Sequence, residues 1–281
     1  MGTLIAPDQL YSLLRSRNPP KILDIRWQLD RPDGYDEYLA AHIPGAVYVD
    51  LERELTEPGR AVTAGRHPLP NTERLQTAAR QWGVNAGETV VVYDDVKSTS
   101  ATRAWWLLRH AGVEDVRVLD GSLRGWTEAG FPVESGEVTP PSGTIALDLR
   151  DPPPGLTMDE VEEFTSRGTL LDVRAPSRYT GEHEPYDPRA GHIPGAISAP
   201  TPQNVDGQGR FLPPEQLRER FLALGVNPEK PVASYCGSGI HGTHSTFALE
   251  LAGFNAALYP GSFSEWSNNP ERPVITGEDP G

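Results

Sequence analysis

The chain of 281 residues contains only one cysteine, Cys236. A single cysteine cannot form an internal disulfide, and it excludes metal or redox motifs of the CxxC type. No apolar run approaches the length that a membrane-spanning helix needs. The N-terminus lacks a basic stretch followed by an apolar core, so it does not predict a secretory signal. We therefore expect a cytoplasmic protein in a reducing compartment.

Positive charge is also scarce in this chain. Lys and Arg total 25 against 39 Asp and Glu, which gives a formal net charge of −14. This balance argues against a nucleic-acid partner, because binding to phosphates needs a basic face. With 37% hydrophobic and 23% charged residues, the composition is that of a globular protein with a buried core. The length suits two domains of ordinary size.

The two halves of the chain carry the same sequence landmarks in the same order. The motif LDIR at residues 23–26 returns as LDVR at residues 171–174. The motif HIPGA at residues 42–46 returns unchanged at residues 192–196. Repetition of landmarks in the same order, at offsets of 148 and 150 residues, indicates a tandem duplication.

Short apolar strands alternate with helical patterns in each half, which favours a parallel sheet flanked by helices. The predicted fold class is therefore α/β, with two similar domains. We place the first domain at residues 1–134, a proline-rich linker at 135–156 and the second domain at 157–281. Ligands of open α/β sheets collect at the carboxyl ends of the strands. Asp94 and Cys236 both stand at such an end.

Cys236 lies where an apolar strand gives way to a glycine-rich turn and a helical pattern. Backbone N–H groups and the positive end of a helix dipole favour the thiolate at such a position. Gly237 and Gly239 can adopt conformations closed to other residues, so the loop can curl its N–H groups inward as an anion nest. Asp94, at the matching position, is no nucleophile for sulfur, and we expect a carboxylate to be incompatible with such a nest. Only the second domain is therefore predicted to be catalytic.

These residues resemble those of a known family, the two-domain rhodanese-type sulfurtransferases, which include thiosulfate and 3-mercaptopyruvate sulfurtransferases. The resemblance rests on the paired HIPGA motifs, on the cysteine loop in the second repeat only, and on the GSLRGW and GSFSEW segments that end at Trp126 and Trp266. It implies two rhodanese-like domains and a ping-pong reaction through a persulfide on Cys236, with no metal or organic cofactor. It also implies a small anionic sulfur donor and a thiophilic acceptor: cyanide, a thiol or a thioredoxin-like protein.

The resemblance further implies an anion cradle made by the backbone of the cysteine loop. The cradle residues are Gly237, Ser238, Gly239, Ile240 and His241. Arg178 matches a family arginine that binds the anionic end of the donor, a task suited to a guanidinium. The second family arginine is missing at its expected spacing, where Tyr186 stands, and Arg189 three residues later is the candidate replacement.

In the family, a serine of this loop acts with a histidine and an aspartate from the first domain. Ser238 matches the serine, His42 matches the histidine by its motif, and Asp33 lies nearest to the place of the aspartate. His67, in the segment GRHPLP at residues 65–70, resembles a family loop near the mouth of the site and receives no role in this prediction.

The composition of the cysteine loop is the best clue to the donor. The sequence CGSG at residues 236–239 is similar to the mercaptopyruvate enzymes, whereas thiosulfate enzymes typically place cationic side chains after the cysteine. His241 stands where the mercaptopyruvate enzymes usually have threonine. A partly protonated imidazole there favours doubly charged thiosulfate, so the sequence leaves both donors open.

Two other functions compete with this interpretation. A cysteine phosphatase of similar fold needs an arginine six residues after the cysteine, and that position holds Gly242. A non-enzymatic binding or sulfur-carrier module arises when such domains lose their cysteine, whereas here Cys236 stands in an intact loop.

Overall fold

The computed structural model describes residues 3–149 and 155–281, which form two compact units. The first unit takes the described residues of Met1–Glu57, Leu69–Pro154 and Val205–Phe211; the second takes those of Pro58–Pro68, Gly155–Asn204 and Leu212–Gly281. Each unit therefore includes a short segment from the other half of the chain. No local sequence pattern predicts this exchange, and it brings Pro58–Pro68 into the unit that contains Cys236.

The first unit is built on a five-stranded sheet in which every described pair of strands is parallel. In the order β1-β5-β4-β2-β3, its strands are β1 (Leu4–Ile5), β2 (Lys21–Asp24), β3 (Ala46–Tyr48), β4 (Val90–Tyr93) and β5 (Val116–Leu119). Its helices are α1 (Pro7–Leu14), α2 (Tyr35–Ala40), α3 (Leu51–Glu54), α4 (Thr72–Gln81), α5 (Ala101–His110) and α6 (Ser122–Glu128). The central strand β4 is a continuous apolar run because helices cover both faces of such a sheet.

The second unit repeats this plan with a four-stranded parallel sheet. In the order β7-β6-β8-β9, its strands are β6 (Thr169–Asp172), β7 (Ala196–Ser198), β8 (Val232–Tyr235) and β9 (Ala256–Leu258). Its helices are α7 (Met158–Phe164), α8 (Pro176–Thr180), α9 (Pro214–Ala223), α10 (Ile240–Leu251) and α11 (Ser262–Ser267), with 3₁₀ turns at Val62–Ala64 and Thr201–Asn204. The predicted tandem α/β fold is confirmed.

A buried polar cluster recurs in both sheets and explains the repeated motif LD[IV]R. Tyr93, the last residue of β4, donates a hydrogen bond of 2.5 Å to Asp24 at the end of the neighbouring strand β2. Tyr235, the last residue of β8, donates one of 2.7 Å to Asp172 at the end of β6. Arg174 pairs with Asp172 at 2.6 Å. Because buried charges need partners, this cluster holds the ends of β4 and β8, the strands that directly precede Asp94 and Cys236.

Residues 135–149 of the predicted linker belong to the first unit, whereas residues 155–156 belong to the second. Gly143 donates its N–H to the carbonyl of Arg80 at 2.7 Å, and Asp148 donates to the carbonyl of Ala111 at 3.0 Å. Residues 150–154 of that linker lie outside the described residues. In the part of the chain that is described, we find no helix with both the length and the apolar character needed to cross a bilayer.

Candidate active site

Cys236 directly follows β8 and is only 3% exposed. Gly239 has a φ of +82°, a conformation that favours glycine, and it immediately precedes α10. This turn aims the Gly239 N–H at the Cys236 sulfur, with N to Sγ at 3.1 Å. The first turn of α10 also leaves the N–H groups of Ile240 and His241 without acceptors inside the helix. The sulfur therefore lies at the positive end of a helix dipole, as the sequence predicts.

The start of α11 holds the cysteine loop in place. Cys236 donates its N–H to Ser262 Oγ at 3.1 Å, and Phe263 donates its N–H to the Cys236 carbonyl at 2.9 Å. Ser264 donates its N–H to the Gly237 carbonyl at 2.8 Å. Ser262 itself has a φ of +54°, which is unusual for a residue with a side chain. These bonds fix both backbone groups of the cysteine before any substrate arrives.

The corresponding loop of the first unit is closed around its own carboxylate. Asp94 is fully buried and accepts hydrogen bonds from the backbone N–H groups of four loop residues and from Ser122 Oγ. The four donors are Val96, Ser98, Ser100 and Ala101. The expectation that a carboxylate is incompatible with such a nest is therefore wrong, because here the carboxylate is the bound anion.

Ser238 contacts a histidine other than the predicted one. Its Oγ lies 2.7 Å from Nδ1 of His67, and both residues are buried. His67 belongs to the exchanged segment Pro58–Pro68. The sequence offers only a weak signal for this residue, the segment GRHPLP, which has no strand or helix pattern. Sequence reasoning therefore missed the partner of Ser238.

The structure gives His42 and Asp33 other partners, so both assignments to the relay are corrected. His42 is fully buried, with Nδ1 donating to the Tyr38 carbonyl at 2.9 Å and Nε2 lying 3.2 Å from the Glu134 carboxylate. Both ring nitrogens are thus occupied within the first unit. Asp33 is exposed and accepts the N–H of Tyr35 at the start of α2. These contacts stabilise local structure.

Arg178, on α8, lies against the cysteine loop, where the sequence predicts a donor-binding guanidinium. A Cβ atom at Gly237 would lie 3.2 Å from Arg178 Nη1. Nε and Nη2 of Arg178 donate to Glu184, and Nη2 also donates to Asp187 at 2.8 Å. Within residues 3–149 and 155–281, Nη1 makes no hydrogen bond. The two carboxylates fix the plane of the guanidinium and leave one edge available beside Gly237.

The structure also corrects the assignment of Arg189. All three of its side-chain nitrogens donate to backbone carbonyls at the end of α11 and just beyond it, so four of its five N–H bonds are used within the protein and one on Nη1 is left. The acceptors are Trp266, Ser267, Asn269 and Arg272.

Arg66 supplies a second guanidinium that sequence reasoning missed. Its Nη2 donates to Asp187 Oδ1 at 2.5 Å, while Asp187 Oδ2 accepts from Arg178. The two guanidinium carbons lie 5.7 and 5.1 Å from the centre of the Tyr186 ring. Tyr186, at the expected place of an arginine, is thus flanked by two of them.

His241 is a neutral group at physiological pH. Its side chain meets solvent in part, yet the protein packed around the ring and, next, the charge of Arg178 lower its pKa from 6.5 to about 4. This lowered pKa argues against the partly protonated imidazole that the sequence suggested. The argument for thiosulfate that rested on this charge no longer holds.

A family model for the rhodanese-like domain matches the chain twice, over residues 6–129 and 157–269. The chain is 44% identical over 265 residues to the probable 3-mercaptopyruvate sulfurtransferase of Pseudomonas aeruginosa, covering 92% of each chain. It is 42% identical over 276 residues to the putative thiosulfate sulfurtransferase SseB of Mycobacterium tuberculosis, covering 98% of this chain and 97% of that relative. The crystal structure of SseA from Escherichia coli, described as a 3-mercaptopyruvate sulfotransferase with the rhodanese fold, matches with a TM-score of 0.82 at 32% identity, covering 94% of this chain and 99% of that one.

Proposed function

The chain belongs to the rhodanese-like family and is a sulfurtransferase, and we propose that Cys236 is its persulfide-forming nucleophile and 3-mercaptopyruvate its preferred donor. The observation that carries this proposal is the Gly239 N–H aimed at the Cys236 sulfur at 3.1 Å. It supports a loop organised for negative charge on sulfur before the donor binds.

The first half-reaction forms one bond and breaks one. The Cys236 thiolate attacks the sulfur of mercaptopyruvate, a bond forms between the two sulfur atoms, and the carbon–sulfur bond of the donor breaks. The electron pair of that bond leaves on carbon as the enolate of pyruvate, which must gain a proton. Such a donor therefore needs a proton source near the cysteine, whereas thiosulfate would release sulfite without this requirement.

The pair Ser238 and His67 supports this proton transfer. Oγ of Ser238 and Nδ1 of His67 are 2.7 Å apart. When the serine hydroxyl gives its proton to the pyruvate enolate, the imidazole therefore supplies a replacement proton to the serine. Ser238 stands two residues after Cys236 in the same loop. A relay at this position has a clear use with a keto-acid donor.

The charges near the loop support a singly charged donor. Arg178 presents its Nη1 edge beside Gly237, where it can bind one carboxylate. His241 adds no charge at neutral pH, because its pKa is lowered to about 4. Beside Gly237, the described residues thus offer one guanidinium edge, which suits the single carboxylate of 3-mercaptopyruvate.

The acceptor in the second half-reaction is a thiophile: cyanide, a small thiol or a thioredoxin-like protein. The single free cysteine suits a reducing compartment, which we take to be the cytoplasm.

Comparing the two donors tests the proposed preference. With cyanide as common acceptor, we expect kcat/KM for 3-mercaptopyruvate to exceed that for thiosulfate by at least about tenfold, the ratio given by one charge-assisted hydrogen bond. Cys236→Ser is the control and should be inactive with both donors. A higher value for thiosulfate would refute the donor assignment and leave the persulfide chemistry intact.

A further inference from the structure

Beside the cysteine loop, the second unit contains a cavity of about 580 Å³, which we call the Arg66 cavity. Its walls include Arg60, Arg66, Tyr186 and Ser264, and its described lining contains none of residues 236–241. Cavities that bind small molecules occupy about 300–1,000 Å³. The Arg66 cavity is therefore large enough for a ligand.

Two connections join the Arg66 cavity to the cysteine loop. Ser264, in the cavity wall, donates its N–H to the carbonyl of Gly237 at 2.8 Å. Arg66 directly precedes His67, whose ring contacts Ser238. The cavity wall therefore contains one residue that bonds to the loop, Ser264, and one residue adjacent in sequence to another that does, Arg66 beside His67.

Arg66 is held rigidly but has unused donors. Its Nη2 is bound to Asp187 and to the Tyr186 carbonyl, and its backbone N–H donates to Ser264 Oγ at 3.0 Å. In the described parts of the chain, its Nε and Nη1 make no hydrogen bond, and the side chain is 26% exposed. The residue before Arg66, Gly65, packs closely against the Gly261 carbonyl, because a Cβ at Gly65 would lie only 3.0 Å from that oxygen. A fixed guanidinium with three unpaired N–H bonds is suited to a carboxylate.

We propose that the Arg66 cavity binds the sulfur acceptor, a small thiol that carries a carboxylate several bonds away from its sulfur. Arg66 binds that carboxylate, and the thiol reaches the persulfide on Cys236. Arg178 serves the donor instead, because its unpaired Nη1 faces Gly237. The inference rests on the proposed function, since it requires the persulfide to form.

The transfer step is balanced without any oxidant. The acceptor enters as a thiolate and attacks the outer sulfur of the Cys236 persulfide. A bond forms between the acceptor sulfur and the outer sulfur, and the bond between the two sulfurs of the enzyme breaks. The electron pair returns to Cys236 as thiolate, and the acceptor leaves as a persulfide anion.

The experiment isolates the second half-reaction. The enzyme is loaded with 3-mercaptopyruvate, the donor is removed, and loss of the added sulfur is followed by intact mass after mixing with glutathione, glutathione diethyl ester or 2-mercaptoethanol. For the wild type, we expect glutathione to react with at least about tenfold higher kcat/KM than its ester. Arg66→Gln should remove this advantage, so that kcat/KM for glutathione falls to about the value for its ester in this variant.

Arg53→Gln is the matched control, because Arg53 is an exposed arginine on α3 of the first unit, and it should behave as wild type. Equal rates for glutathione and its ester in the wild type would overturn the proposal. If Arg66→Gln lowered the rate of sulfur transfer equally for all three thiols, the proposal would be overturned too. Transfer of sulfur to a thioredoxin-like protein but to none of the three small thiols would also overturn it. Failure of the enzyme to gain sulfur during loading would instead refute the proposed function, so the two failures are distinguishable.

Discussion

Ser238, which follows the only cysteine of the chain by two residues, has its Oγ 2.7 Å from Nδ1 of His67. If this pair protonates the pyruvate enolate, His67→Asn should lower kcat/KM for 3-mercaptopyruvate by about 10²-fold, the usual size of a general-acid contribution. Persulfide formation from thiosulfate should be less affected, because sulfite leaves without needing that proton. Steady-state release of pyruvate and of sulfite measures the two effects.

His42→Asn is the matched control for this variant. His42 binds the Tyr38 carbonyl and faces Glu134, so its loss should lower the free energy of unfolding by about 1–3 kcal/mol and leave donor kinetics of the folded enzyme unchanged. Loss of mercaptopyruvate turnover in His42→Asn, together with normal turnover in His67→Asn, would show that the relay is wrongly assigned.

A second prediction concerns the plane of the Arg178 guanidinium. Arg178→Lys keeps a positive charge, but an ammonium cannot bind Glu184, Asp187 and a donor carboxylate at fixed angles as the guanidinium does. We expect KM for 3-mercaptopyruvate to rise by about tenfold or more, with a smaller change in kcat. Initial rates across donor concentration test this split. An unchanged KM would mean that the donor carboxylate binds elsewhere.

The pKa of His241 makes a prediction about pH. Because that pKa is lowered to about 4, the imidazole is neutral from about pH 5.5 to 8 and has no charge to gain near its ordinary pKa of 6.5. The ratio of kcat/KM for thiosulfate and 3-mercaptopyruvate should therefore show no His241-dependent change across this range. The ratio is measured in wild type and His241→Thr. A rise in thiosulfate preference below pH 6.5 that is lost in His241→Thr would contradict this expectation.

The role of Asp94 in the first unit is also testable. Asp94→Ala removes the acceptor of four buried N–H groups and of Ser122, so the free energy of unfolding should fall by at least about 3 kcal/mol. Urea unfolding measures this loss. Persulfide loading of the folded protein should persist, because Cys236 belongs to the second unit. A stability change below about 1 kcal/mol would show that the loop does not depend on its carboxylate.

Much of the fold was predictable because its signals are local. The repeated LD[IV]R motif marks strand ends whose aspartates are buried under tyrosine and arginine, and such clusters require fixed residue types. The cysteine loop was equally readable, since Gly239 must adopt its positive φ for the turn into α10. At Gly242, where a cysteine phosphatase needs an arginine, a Cβ would lie only 2.7 Å from Leu258 Cδ1, so this position has little room for a side chain.

The partners of the cysteine loop were not predictable in the same way. Arg66 and His67 reach the second unit only because the segment Pro58–Pro68 leaves its own repeat, and no periodicity in that segment encodes where it packs. His42 was misleading for a physical reason. Its motif recurs as His192, and in both repeats Nδ1 donates to a tyrosine carbonyl, on Tyr38 and on Tyr179. Repetition of this motif therefore reflects a structural turn.

The most direct test of the central claim is the intact mass of the purified protein after incubation with 3-mercaptopyruvate and removal of the donor. We expect the wild type to gain one sulfur atom and Cys236→Ser to gain none, because Cys236 is the only cysteine in the chain. Absence of any gain in the wild type, or the same gain in Cys236→Ser, would contradict a persulfide on Cys236.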